Sequence, residues 1–408
     1  MNDFNLIVAI ITIVCVLAGI MGVCAYLIWV ERKIAAYVQD RIGPNRVGPF
    51  GLLQPLADGL KFLFKEDIIP AKVDKVLFLT APVIAVSTAL FAFVVVPFGP
   101  TTPLPRPPAP LSPYASPEQQ TAYQQQEQTY QQDLQEYHSR YQFVIAPHVD
   151  IGIVFIFAIT SLTVYAIILG GWASNNKYSF IGGLRSSAQL LSYEIPMGMS
   201  ILGVALLSGS LNLERIMQQQ ADHVWYIFFQ PLAFLLFLIS AYAECNRLPF
   251  DLPEAEQELV GGYHTEYSAM KFALFFLGEY AHVITTSFLM SILFLGGWHF
   301  PGIPQSGALA IALKLLVLYA KVVFFILLYM MVRWTLPRFR FDQLMQLAWK
   351  GLIPLALANL VLVLIVKQLD LNLWWLLPAS LIVLVAGAAP SLWTYPRPPG
   401  RTTMVTQT

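Results

Sequence analysis

Residues 231–297 read PLAFLLFLISAYAECNRLPFDLPEAEQELVGGYHTEYSAMKFALFFLGEYAHVITTSFLMSILFLGG. Apolar runs at about 226–245 and 270–296 are each long enough to cross a bilayer, which takes about 20 mainly apolar residues. Within and between them stand seven of the chain's 24 acidic residues: Glu244, Asp251, Glu254, Glu256, Glu258, Glu266 and Glu279. A charge at membrane depth costs roughly 2.5–3.5 kcal/mol even on the milder insertion scales, so such a residue is by default functional. The stretch therefore predicts a membrane protein that handles protons, or a charged reaction partner, inside the bilayer.

The rest of the chain agrees. Hydrophobic residues make up 57% of it and charged residues 12%, a polytopic membrane composition. Further apolar runs lie at about 4–30, 76–97, 149–172, 188–208, 309–334, 351–367 and 372–394, giving nine expected spans. The first is no ordinary secretory signal: no basic residue precedes it, and Arg32 and Lys33 follow. With alternating sidedness, one set of loops holds eighteen basic residues and the other only Arg106, Arg140, Arg215 and Lys367. Basic residues collect in cytoplasmic loops, so the expected orientation is N-terminus outside and C-terminus cytoplasmic. The fold class is thus all-α, an integral membrane protein with the acidic loop 246–270 on the cytoplasmic side. Three cysteines with no close pair exclude a disulfide framework or an iron–sulfur cluster held by this chain alone.

Domain organisation follows from the stretches that are not spans. Residues 1–98 hold two spans around a cytoplasmic loop, 31–75. In that loop Leu52, Leu53, Leu56, Leu60, Leu63 and Phe64 recur at helical spacing beside Asp58, Lys61 and Lys65, predicting an amphipathic helix in the membrane interface. Residues 99–147 form an external insert, proline-rich and then glutamine-rich. Tyr123, Tyr130, Leu134, Tyr137 and Tyr141 mark one face of an expected helix, with a flexible insert as the alternative. Residues 148–367 make a six-span core carrying the acidic loop and a basic loop, 333–350. Residues 368–408 add the ninth span and a cytoplasmic tail.

Three carboxylates and two amines fall at membrane depth: Glu194 early in the fourth span, Glu244 ending the fifth, Glu279 in the sixth, and Lys314 and Lys321 on one face of the seventh. Such groups should face the bundle interior and solvate one another with water, which favours a proton path over static buried ion pairs that rarely offset their desolvation. Other chemistries lack their parts. No paired histidines suit a haem, no three-ligand metal spacing occurs, and neither G-x-x-x-x-G-K-[ST] nor G-x-G-x-x-G is present. Neither NAD, FMN, haem nor a metal is expected on this chain, and no nucleic-acid partner.

The strings ERK, DRIGPNRVGPFGLLQPLADGLKFLFKE, GWASNNKYSFIGGLRSSAQLLSYEIP, AECNRLPFDLPEAEQELVGGYHTEYS and PRFRFDQLMQLAWK closely resemble the NADH dehydrogenase subunit 1 family. This family includes the H subunit of bacterial NADH–quinone oxidoreductase, respiratory complex I, and the resemblance covers nearly all of residues 5–367. It implies a membrane subunit of the bacterial inner membrane that forms much of a ubiquinone or menaquinone tunnel where the hydrophilic arm docks. Flavin, NADH and iron–sulfur sites would belong to partner subunits, with antiporter-like and small membrane subunits as further neighbours. No complete active site would lie on this chain alone. Carried over by position, Arg32, Arg41, Asp58, Phe250 and Asp251 would contact quinone. Glu194, Glu244, Glu279 and Lys321 would carry protons, and Glu254, Glu256, Glu258 and Glu266 would form an acidic coupling loop. Arg338, Arg340 and Asp342 would touch the hydrophilic arm. The longer insert and the ninth span depart from the common bacterial pattern. A homologous subunit of a membrane-bound hydrogenase or other non-NADH dehydrogenase, and a stand-alone ion transporter, are the alternatives.

Overall fold

The computed structural model describes residues 6–102, 105, 107–108, 117–139, 141–147, 149–252, 260–304 and 307–393. Glu254, Glu256 and Glu258 lie outside them. Every regular element among the described residues is helical. Seven helical stretches are long and apolar enough to span a membrane: 7–38, 75–94, 152–173, 177–208, 269–295, 308–335 and 341–368. The chain is a multi-pass membrane protein. The two remaining runs form shorter apolar helices. The run 226–245 divides at Gln230 into Tyr226–Phe229 and Pro231–Glu244, because Pro231 lacks the amide that would continue the first piece.

The helices are α1 (Leu6–Val38), α2 (Gln54–Phe64), α3 (Lys75–Phe91), α4 (Pro117–Ser139), α5 (Gly152–Ser161), α6 (Thr163–Ala173), α7 (Lys177–Ser208), α8 (Leu213–Asp222), α9 (Tyr226–Phe229) and α10 (Pro231–Glu244). They continue with α11 (Ala269–Leu295), α12 (Ala308–Thr335), α13 (Phe341–Gln346), α14 (Ile353–Gln368) and α15 (Leu376–Trp393). A π-helical turn, Leu347–Leu352, joins α13 to α14. The eighth run is therefore helical from Phe341, ten residues before its apolar stretch begins at 351.

α11 is the axis of the bundle. From Gly278 to Phe294 every residue is buried, and it packs against α1, α3, α10 and α12. α7 packs on α6, α10 and α14. It starts at Lys177, capped by the Asn176 side chain on Tyr178 N–H at 2.9 Å. Glu194 consequently sits in the middle of a 32-residue helix, where the apolar pattern had it early in a span starting at 188. Pro196, two residues on, withholds the amide that would bond the carbonyl of Ser192.

Both non-spanning stretches are helical, but Leu52 and Leu53 precede the first helix and Tyr141, exposed, lies past the second. In α2, Leu56, Leu60, Leu63 and Phe64 are all exposed, as an interfacial helix requires when its apolar face meets lipid or a partner. α4 is a 23-residue helix in which Tyr137 is buried while Tyr123, Tyr130 and Leu134 are half-buried. The ends of the insert are tied together: Thr102 N–H donates to Gln142 Oε1 at 2.9 Å, and Phe98 N–H donates to the Phe143 carbonyl at 2.9 Å.

Candidate functional site

Two small cavities, each bordered by ionisable side chains, lie against α11, near the end of the bundle that carries the acidic loop. The first gathers charges from four segments. Glu31, late in α1, accepts from Tyr280 Oη at 2.5 Å and is bound by Arg333 of α12. Arg247, in the turn after α10, holds Nη1 4.0 Å from Glu31 and Nη2 4.0 Å from Glu279. Its guanidinium lies 4.2 Å from the centre of the Tyr280 ring, a cation–π contact. Tyr263 donates to the other Glu279 oxygen at 3.3 Å. Glu31, Glu279 and Arg247 are each less than one-tenth exposed. Glu31 and Arg247 border a cavity of about 20 Å³ together with Tyr280, Tyr329 and Arg333, room for about one water.

Two carboxylates and two guanidiniums make this quartet formally neutral. An ion pair at 4 Å is worth about 4 kcal/mol at an effective dielectric of 20. Taking each ion from water costs several kcal/mol. The two terms are of the same size, so the arrangement is sensitive to any charge or proton added to it.

The second cavity, also about 20 Å³, is lined by Thr160, Ser161, Thr163, Glu194, Glu244 and His282. Ser161, at the end of α5, donates to Glu194 Oε1. His282 Nε2 pairs with Thr163 Oγ1 at 3.1 Å, and that hydroxyl continues to Thr88 Oγ1 at 2.9 Å. The break between α5 and α6 falls at Leu162, between Ser161 and Thr163, which both line this cavity. Between the cavities runs a short polar string. Tyr329 of the first bonds Thr286 Oγ1 at 3.1 Å, and Thr286 meets Cys245 Sγ, the neighbour of Glu244, at 3.5 Å.

The turn after α10 is built into this site. Gln189 Nε2 donates to the carbonyls of Ala243 and Phe250, each at 2.8 Å. Phe250 packs on Tyr193 and Phe339, and Phe339 N–H donates to the Pro249 carbonyl at 3.2 Å. Asp251 is buried and receives Arg338 at 2.7 Å. On the other side of the loop, a Cβ on Gly182 of α7 would lie 2.8 Å from the Gly262 backbone, so only glycine lets the segment carrying Tyr263 come this close. Glu266 accepts from Asn176 Nδ2 at 2.6 Å.

A family model described as NADH dehydrogenase matches residues 11–364. The chain belongs to the NADH dehydrogenase family. Similar proteins include the second of the H subunits of NADH-quinone oxidoreductase in Koribacter versatilis, 47% identical over 364 residues, covering 87% of this chain and 96% of that protein. Another is the first of the H subunits of NADH-quinone oxidoreductase in Geobacter sulfurreducens, 46% identical over 348 residues and covering 85% of this chain and 91% of the relative. NADH-quinone oxidoreductase subunit 8 of Rhodothermus marinus is 44% identical over 350 residues, with coverages of 83% and 90%.

For this NADH dehydrogenase family chain, the residues singled out in the sequence fall into separate places. Glu194 and Glu244 share one cavity, and Glu279 belongs to the quartet next to it. Lys321 is not among them. Its Nζ donates to three carbonyls at and past the far end of α11, Leu295 at 2.7 Å, Gly297 at 2.8 Å and His299 at 3.0 Å, and lies 4.5 Å over the Trp225 ring. The expectation that the lysines and acids solvate one another is thus corrected: Lys321 caps a helix C-terminus, where carbonyls gather negative partial charge. Arg32 pairs with Asp58 at 2.7 Å, joining α1 to α2, and Gln54 steadies Asp58 at 2.9 Å. Arg41 is exposed and donates to Gln39. Arg338 anchors Asp251, whereas Arg340 and Asp342, 3.8 Å apart, stand on the surface. Glu31, Arg247, Tyr280 and Arg333 were not singled out as site residues. The usable signal was small: Glu31 closes the first apolar run, and Arg247 is the one lysine or arginine between Glu244 and Glu266.

Proposed function

We propose that this chain is the membrane subunit of a proton-translocating NADH–quinone oxidoreductase. In this reading it forms much of the quinone tunnel beside the hydrophilic arm and links quinone reduction to proton movement. The observation that carries the reading is the pair of water-sized cavities on α11, one beside the quartet of Glu31, Arg247, Glu279 and Arg333 and the other bordered by Glu194, Glu244 and His282. The relatives named as NADH-quinone oxidoreductase subunits supply the reaction class.

Quinone is a substrate with an apolar tail and a polar head. The uncovered apolar face of α2 suits the tail, and the Arg32–Asp58 pair at the α1–α2 boundary offers polar atoms to the head. Beyond it, the Phe250–Asp251 turn sits between α7 and Arg338. Reduction of quinone takes up two protons and two electrons; the electrons come from a partner's iron–sulfur cluster. A dianionic head, or the proton demand it creates, would draw on the neutral quartet. Arg247 would follow the new charge and loosen from Glu279, and the string through Tyr329, Thr286 and Cys245 carries the change to Glu194 and Glu244. From there protons pass toward antiporter-like neighbours. Glu254, Glu256, Glu258 and Glu266 complete the acidic loop that responds to the tunnel, and Arg340 with Asp342 meet the hydrophilic arm. Lys321 has no part in the path. The chain crosses the bacterial inner membrane nine times, two of the crossings with short helices, N-terminus outside and C-terminus cytoplasmic.

The test is Glu244→Gln in the intact complex, read as NADH–quinone turnover and proton pumping in vesicles. Pumping per turnover should fall while NADH oxidation with an artificial acceptor stays intact. Full coupled pumping would remove Glu244 from the path. Purification discriminates the function class: a nickel–iron partner without flavin would make the chain a hydrogenase component, and transport by the chain alone would make it a transporter.

A further inference from the structure

No residue of α2 is buried, so burial of apolar surface contributes little to fixing its tilt or its distance from the bundle. At one end the Arg32–Asp58 pair ties it to α1. Past its other end runs the connector 65–74, which is fastened to the start of α11 at two adjacent residues. Asp67 Oδ1 lies 2.8 Å from Lys271 Nζ, and the Ile68 N–H donates to Ser268 Oγ at 3.1 Å. Phe62 of α2 also meets Phe272 of α11, with ring centres 6.4 Å apart. The connector's far end is fixed as well. Asp74 N–H donates to the Ala173 carbonyl at 3.2 Å, and Asn175 Nδ2 donates to the Lys72 carbonyl at 3.0 Å.

The start of α11 gives up local stability to make these contacts. Ser268 is its N-cap residue, and a serine there ordinarily accepts from an amide of the first turn. Here its side chain bonds none of them and takes the Ile68 amide instead. Lys271, the third residue of the helix, is 7% exposed. A helix N-terminus disfavours a cation, and burial disfavours any charge. Ala269 adopts φ +49°, a left-handed backbone uncommon for a residue with a Cβ. Local preferences are thus broken at Ser268, Ala269 and Lys271, and both polar side chains among them serve the connector. Strain gathered at one contact marks that contact as the feature the sequence keeps.

We propose that Asp67, Lys271 and Ser268 are positioning residues for the substrate, a clasp that keeps the uncovered face of α2 at a set distance from α11, where a long apolar tail lies along it. The proposal rests on the quinone reading above and adds which residues set the grip on the tail. Asp67 is half exposed, and such an ion pair is worth little as stability. Its effect is geometric, confined to the part of the ligand that touches α2.

The experiment uses the intact complex and two quinones sharing one ring, one long-tailed and one short-tailed. Asp67→Asn and Ser268→Ala should each raise the KM for the long-tailed quinone about fivefold, the scale of one partly exposed ion pair or hydrogen bond. The kcat, the KM for the short-tailed quinone and NADH oxidation with an artificial acceptor should stay at the parent's values. Asp67→Glu, which keeps the charge, should restore the long-tail KM. Hydrogen exchange over residues 65–74 should be faster in Asp67→Asn and Ser268→Ala, a readout that needs no substrate. An unchanged long-tail KM, a rise in both KM values together, or unchanged exchange would each overturn the proposal. A parent complex that oxidises NADH but reduces neither quinone would defeat the quinone reading, and the positioning role with it, while the clasp itself would stand or fall on exchange.

Discussion

Arg247→Gln is the most informative single change, because Arg247 touches both carboxylates of the quartet. Nη2 lies 4.0 Å from Glu279 and Nη1 4.0 Å from Glu31. At an effective dielectric of 20 each separation gives about 4 kcal/mol of attraction. Arg333 still neutralises Glu31 in the variant, so Glu279 is the carboxylate that loses its guanidinium, in a site less than one-tenth exposed. Removing one partner of a buried pair costs about 3–5 kcal/mol. In a Glu279→Gln background no charge is stranded, and the same replacement should cost at least about 1 kcal/mol less, within the usual range for contacting residues. The assay is a double-mutant cycle on the purified complex unfolded by denaturant in mixed micelles, with quinone turnover measured in parallel. Equal cost of Arg247→Gln in both backgrounds would refute the electrostatic account of the quartet.

Three further outcomes are expected. Glu214, raised by burial, binds its proton up to about pH 7 when folded but releases it near 4.5 when unfolded, so it lowers stability as pH rises through that window, by roughly 3 kcal/mol at most. His299, held down to about 4 by burial and by Lys314 and Lys321, has the opposite sign, adding stability as pH rises from about 4 to 6.5; in thermal melts in phosphatidylcholine micelles the slope of stability against pH should therefore be more positive than the parent's in Glu214→Gln and more negative than the parent's in His299→Gln. Lys321→Met should destabilise by about 2–4 kcal/mol, through three lost charge-assisted bonds partly replaced by water, yet leave pumping per assembled complex unchanged; loss of pumping at full assembly would make Lys321 a proton carrier. Gly182→Ala forces a 2.8 Å contact with the Gly262 backbone and should cost about 1–3 kcal/mol, and it should lower quinone turnover by displacing Tyr263 from Glu279; turnover and melting point equal to the parent's would refute this.

The spans were legible because their signal is local: about 20 apolar residues in a row need no tertiary partner to be recognised. The interfacial helix at 54–64 was legible for the same reason, its apolar face repeating every turn. The site was legible only in part. Glu194, Glu244 and Glu279 stood out as charges inside apolar runs, and the first two do share a cavity. Glu31, Arg247 and Arg333 did not, because each lies at the edge of a span where charge is ordinary; only the approach of α1, the turn after α10 and α12 brings them together. Lys321 was legible as a lysine at membrane depth, but its surroundings were not. A lysine inside an apolar run reads as a proton group, but sequence does not reveal that three carbonyls of a neighbouring helix end await it. The same limit applies to Arg338, Arg340 and Asp342, one of which turns inward to Asp251 while the other two face out.

Tyr280 and His282 are two residues apart on the buried helix α11, one touching each cavity. A helix so enclosed moves as a rod, and its neighbours leave little room for a local bend. The two cavities accordingly share a single mechanical coordinate. A rotation of α11 that shifts Tyr280 relative to Glu31 also shifts His282 relative to Thr163, so the contacts of one cavity are geometrically tied to those of the other.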